Sequence, residues 1–92
     1  MKAILFRKEA ESDLRSIIAY YDEVAPETTS NILADIYRSI DQLAHYPLSG
    51  MQVPDRAFRR IVTIKFHFKI AYAVKEQQVV ILGIFRYQDR EI

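Results

Sequence analysis

The sequence predicts an α+β domain of order β-α-α-β-β-β, with a helix hairpin packed on one face of a small antiparallel sheet. Three observations carry this. Apolar residues recur at helical spacing from Ala10 to about Tyr46, broken once by Pro26. The period switches to two after Phe58. A short apolar run, Ala3-Ile4-Leu5-Phe6, precedes the first helix. With 92 residues, the chain has room for one domain spanning its whole length.

Each element has a local reason. Residues 2–6 are too few for a helix and carry a charged flank, which suits a first strand. Ala10, Leu14, Ile17, Ile18, Tyr21 and Ala25 then form one stripe of an α-helix, with Glu9, Glu11 and Asp13 crowding its positive end. Proline disfavours the α conformation in the residue before it, so Ala25-Pro26 ends that helix, and Pro26 also suits the first turn of the next. From Glu27 to about Tyr46 the stripe resumes through Ile32, Leu33, Ile36, Ile40, Leu43 and Ala44. A connection this short makes the two helices an antiparallel hairpin. Pro47-Leu48-Ser49-Gly50 stops the second helix and opens a loop through residue 58.

The strands follow. One covers residues 59–65. In the next, Phe66, Phe68, Ile70, Tyr72 and Val74 face one way, and His67, Lys69, Ala71, Ala73 and Lys75 face the other, a half-buried strand. Glu76-Gln77 makes a tight turn. Val79–Phe85 is apolar throughout, which predicts a central strand buried on both faces. Two helices cover only one side of such a sheet, so its other side meets solvent or a partner.

Composition excludes several classes. Half of the residues are hydrophobic, 12% are aromatic, and there are only two glycines and three prolines, which excludes disorder. The absence of cysteine removes disulfides, thiolate metal sites and cysteine nucleophiles. Two histidines alone, His45 and His67, make a metal site an unsupported reading. No P-loop, GxGxxG, HExxH or GxSxG pattern occurs, so no cofactor is expected. The longest apolar run, the seven residues from Val79, falls far short of the roughly 20 needed to cross a bilayer. With no targeting signal at the N-terminus, the expectation is a cytoplasmic protein without a membrane partner. Net charge is +1, but residues 1–50 carry −3 and residues 51–92 carry +4. This asymmetry predicts one cationic face, suited to a polyanion or an acidic protein.

The ordered pattern Ala10-x-x-Asp13-Leu14-x-x-Ile17-x-x-Tyr20-Tyr21, Ile40-x-x-Leu43-x-x-x-Pro47-x-x-Gly50, Arg59-Arg60, Phe68-Lys69-Ile70-Ala71-Tyr72-x-Val74 and Val80-x-Leu82-x-Ile84-Phe85-Arg86 resembles the RelE/ParE toxin superfamily, with spacing closest to the ParE branch. The resemblance implies the toxin of a type II toxin–antitoxin pair of the plasmid-stabilisation kind, neutralised by a cognate antitoxin. It offers two activities. ParE-type toxins are associated with inhibition of DNA gyrase, and RelE-type toxins cleave messenger RNA on the ribosome.

RNA cleavage by attack of a 2′-hydroxyl needs a proton acceptor, a proton donor and cations around the phosphate. The resemblance assigns this set to Arg60, Lys69, Arg86 and Tyr87. It is incomplete. Val62 stands where a second strand lysine is expected, and Asp89 stands near an expected cation beside Arg90. Arg86 replaces a histidine common among relatives, and a guanidinium does not exchange protons near neutrality. An unperturbed phenol near pKa ~10 is a weak acid or base. A non-catalytic, protein-binding toxin is therefore the favoured reading. An inactive antitoxin-binding module is a further alternative. Arg59, Arg60, His67, Lys69, Arg86, Tyr87 and Arg90 are the candidate antitoxin or target contacts. Each also has a plainer role: Arg59 and Arg60 as a solvated strand start, Lys69 as an edge-strand charge that deters aggregation, and Arg86–Arg90 as a solvated terminus.

Overall fold

A computed structural model describes residues 1–86. The elements are β1 (Ala3–Phe6), α1 (Lys8–Val24), a 3-10 turn (Pro26–Thr28), α2 (Thr29–His45), β2 (Met51–Gln52), β3 (Arg59–Val62), β4 (Lys69–Val74) and β5 (Gln78–Phe85). They form a five-stranded sheet of order β1-β5-β4-β3-β2, with the helix hairpin on one face. Strands β3 to β5 make the expected antiparallel meander, and β2 extends it by one short antiparallel strand. The sheet as a whole is mixed, because β1 joins β5 in parallel, pairing Ala3 with Gln78 through Phe6 with Ile81. The fifth strand, β2, lies where the sequence reads as loop. It has two residues and pairs Met51 with Arg60 and Gln52 with Arg59. Periodicity has no purchase on so short a segment.

The helices bury the stripes that their spacing predicts. Ala10, Leu14 and Ile17 of α1 and Ile32, Ile36, Ile40 and Leu43 of α2 pack against Ile70, Tyr72, Val79, Ile81 and Ile84. Burying each such aliphatic side chain contributes about 1.5–3 kcal/mol. Pro26 opens the 3-10 turn rather than α2 itself, and the Thr28 hydroxyl donates to the Ala25 carbonyl at 2.8 Å.

The largest departure from the sequence reading lies between β3 and β4. Strands expected over 59–65 and 66–74 stop at Val62 and start at Lys69. The intervening residues form a turn. The Thr63 N–H donates to the Phe68 carbonyl at 2.8 Å, and the Thr63 hydroxyl accepts the Phe68 N–H at 2.9 Å. His67 takes φ 59°, off the strand path. From α2, the Asp35 carboxylate accepts the Phe66 N–H at 2.8 Å and the Lys65 N–H at 3.2 Å. A buried carboxylate thus supplies the acceptors that draw these residues out of the ladder, and Phe66 is exposed rather than core.

β5 is an interior strand, with β1 and β4 as neighbours, but β4 is the middle strand and β5 is not buried on both faces as expected. Its Val79, Ile81 and Ile84 are buried, whereas Val80, Leu82 and Phe85 are half-buried, so the side away from the helices is only partly covered. Tyr72 pairs with Ile81 and Ala71 with Gly83, which leaves Leu82 unmatched as a β-bulge. The bulge keeps both Ile81 and Ile84 on the helix side.

Candidate functional site

Strand register distributes the candidate cations between the two sides of the sheet. Ile61, Ile70 and Ile84 lie side by side towards the helices. The neighbouring rows, Arg60-Ala71-Gly83 and Val62-Lys69-Phe85, therefore face away from them. Arg60 and Lys69 share that open side.

Lys69 does not stand there as an exposed cation. It is 2% solvent-exposed, which corrects the solvent-facing position that alternation assigns to it. It lies directly across from Phe85 in the β4–β5 register. At the centre of this side, the small residues Ala71 and Gly83 floor a hollow of about 210 Å³, which Phe58, Leu82, Phe85 and Arg7 also line.

Arg59 faces the other way, as adjacent strand residues must. Its guanidinium donates to the Gly50 carbonyl at 2.8 Å and the Leu48 carbonyl at 3.4 Å. It is therefore not a merely solvated strand start: its partners are backbone carbonyls of the loop after α2. The same loop is held by Tyr72, whose hydroxyl donates to the Pro47 carbonyl at 2.8 Å and accepts the Gly50 N–H at 2.9 Å. Burial pushes this phenol above its ordinary range, against the opposing pull of the Gly50 N–H, Arg59 and Ser49. A Cβ at residue 50 would meet the Tyr72 hydroxyl and the Arg60 carbonyl, so glycine is required by space.

Arg86 sits at the end of β5 on the helix side. Its guanidinium carbon lies 5.1 Å from the centroid of the Tyr20 ring, a cation–π arrangement. Tyr20 in turn meets Tyr21 edge-on at 4.9 Å. With Asp13, Ser16, Ile17, Ile84 and Phe85 these residues line a cavity of about 360 Å³. The Asp13 carboxylate accepts the Ile84 N–H at 3.0 Å. His67 is exposed in the β3–β4 turn, away from the strand face assigned to it. Tyr87 and Arg90 lie outside the described residues.

The structure thus brings Arg60 and Lys69 to one side of the sheet and places Arg59 and Arg86 towards the other. It also reveals two carboxylates that the site reading passed over. Asp35 has a signal in the sequence, an acidic residue set beside Ile32 and Ile36 in an apolar stripe. Burial raises its pKa, but the Thr63 hydroxyl, the Phe66 and Lys65 N–H groups and the nearby Arg38 outweigh that and hold it below the usual carboxylate range. Asp13 resembles its acidic neighbours in α1, and only the position of β5 distinguishes it. Among the described residues, no group of three or more His, Cys, Asp or Glu side chains is placed to hold a metal. No described helix is long and apolar enough to cross a membrane.

The β-α-α-β-β-β-β order, with a helix hairpin covering one side of a five-stranded mixed sheet, is an α+β fold of the RelE/ParE kind. The family model described as "ParE toxin of type II toxin-antitoxin system, parDE" matches residues 4–90, and the chain belongs to that family. A solved structure titled "Chromosomal ParDE TA system from P. aeruginosa" superimposes with a TM-score of 0.80 at 22% identity, covering 96% of this chain and 98% of the other. No curated protein matches the sequence.

Proposed function

We propose that this chain is a toxin held inactive by a cognate antitoxin, and that it acts by binding and inhibiting DNA gyrase rather than by cutting RNA. The family membership supports the toxin–antitoxin part. Against RNA cleavage, the observation that weighs most is the separation of the cations. Arg60 and Lys69 belong to the open side of the sheet, whereas Arg86 stacks on Tyr20 at the helix side. A phosphate undergoing in-line attack needs its cations converging on one point. Lys69 is also buried, and Val62 holds the position of a second lysine. A protein-binding inhibitor needs no proton shuttle, only a complementary surface.

Two assays test this. Purified toxin added to gyrase should abolish supercoiling of relaxed plasmid, and the product of the adjacent gene should restore it. Normal supercoiling at micromolar toxin, together with codon-positioned cuts in translated messages, would replace the gyrase reading with ribosome-dependent cleavage. Cytoplasmic residence follows from either target and is tested by fractionation.

A further inference from the structure

The β3–β4 turn carries four consecutive exposed residues, Ile64, Lys65, Phe66 and His67, between two buried ones, Thr63 and Phe68. Other parts of the chain fix its shape. Thr63 and Phe68 close the base through a backbone bond and a hydroxyl bond. The Asp35 carboxylate, buried on α2, accepts the Lys65 and Phe66 N–H groups at the middle. His67 holds a left-handed φ of 59°, which a β-carbon disfavours. Sparsely populated backbone conformations held in place by their surroundings gather at functional sites.

A buried carboxylate is costly unless its hydrogen bonds are met. Here the donors are the backbone of a segment whose own side chains lie in solvent, with Ile64 75% exposed and Phe66 38%. A lone exposed apolar residue is ordinary. An isoleucine and a phenylalanine two positions apart, on backbone tied at its middle and both ends, form a preorganised anchor. Little conformational freedom remains to be lost when a partner covers it. The surrounding chain carries charge of one sign: from Arg56 to Lys75 there are six Lys and Arg residues and no Asp or Glu. Lys65 stands between the two apolar anchors. The pattern suits an apolar pocket rimmed by carboxylates on another protein. A nucleic acid is the poorer match, because it is held by cations on phosphates and by rings stacked on bases, and the aliphatic Ile64 supplies neither.

We propose that the β3–β4 tip is the target-recognition element of this toxin: Ile64 and Phe66 enter an apolar pocket on gyrase, and Lys65 meets carboxylates at the rim of that pocket. This deepens the gyrase reading and rests on it. Asp35 and Thr63 are positioning residues for the tip, since they hold its backbone without reaching the partner.

The test compares full-length variants in gyrase supercoiling of relaxed plasmid, with binding to immobilised gyrase read in parallel. Ile64→Asp alters an exposed side chain and should raise the toxin concentration for half inhibition at least about tenfold. Phe66→Ala should do the same and serves as an independent check if the first variant folds poorly. Lys65→Glu should slow association with gyrase at low salt, a difference that high salt removes. Parent-like potency of Ile64→Asp and Phe66→Ala, in variants whose far-UV circular dichroism shows the parent fold, overturns the proposal and leaves the gyrase reading standing. A loss confined to Lys65→Glu overturns it too, in favour of a contact made by charge alone, as with a nucleic acid. A parent toxin that leaves supercoiling untouched removes the gyrase reading and this proposal with it.

Discussion

The carboxylate of Asp35 accepts the backbone N–H of Phe66 at 2.8 Å across 31 positions of sequence. With the Lys65 N–H at 3.2 Å, it ties the middle of α2 to the β3–β4 turn. Asp35→Ala leaves those donors and the Thr63 hydroxyl without their acceptor. Loss of a network like this costs about 2–4 kcal/mol. Urea denaturation should show that loss, with Asp35→Asn falling between it and the parent.

The same carboxylate predicts an acid limb. Its folded pKa lies below its unfolded value. Its contribution is therefore fully present above the ordinary carboxylate range and disappears as pH falls through the folded pKa. Melting temperature should drop on acidification from neutrality, and Asp35→Asn should flatten that drop. An acid limb as steep in the variant as in the parent would assign it to other carboxylates.

Tyr72→Phe removes the hydroxyl that pins Pro47 and Gly50. Both backbone groups lose a partner at a mostly buried site, so about 1–3 kcal/mol should be lost. Gly50→Ala should be at least as damaging, because its Cβ has no room beside the same hydroxyl. A melt of Tyr72→Phe within experimental error of the parent would show that water replaces the bonds at no cost.

Ile36→Ala and Ile70→Ala each open a cavity in a fully buried layer. Each should cost about 2–5 kcal/mol, a large share of a small domain's stability. A loss of less than about 1 kcal/mol in equilibrium unfolding would mean that the layer collapses to fill the space.

Lys69→Glu should act on folding before it acts on recognition. The side chain is 2% exposed, and reversing a charge in so enclosed a place is destabilising. Arg60→Glu is the fairer test of partner binding on the open side. It should weaken antitoxin affinity, read by calorimetry, in a variant whose far-UV circular dichroism shows the parent fold.

Most of the architecture is legible in the sequence, because Ile32, Ile36, Ile40 and Leu43 repeat at helical spacing and Val79–Phe85 is apolar without interruption. The pairing partner and direction of β1 are not, since four residues carry no information about which strand they will meet. The β3–β4 turn was hidden for a related reason. Residues 59–74 alternate well enough to pass as strand, and the Asp35 carboxylate that breaks them lies a whole element away. The candidate site suffered most from that. With the turn in place, His67 leaves the sheet and Phe66 leaves the core. Lys69 remains on the side that alternation chose, but the register sets Phe85 across from it, a fact of tertiary pairing that no local pattern contains.

Leu82 is the supernumerary residue of β5, facing no counterpart in β4. Losing one residue inside a strand ordinarily turns everything downstream inside out. Here the arithmetic runs the other way: excising Leu82 yields an uninterrupted ladder in which Gly83, Ile84 and Phe85 keep their present orientation. Deleting Leu82 alone therefore shortens β5 without rebuilding the interior.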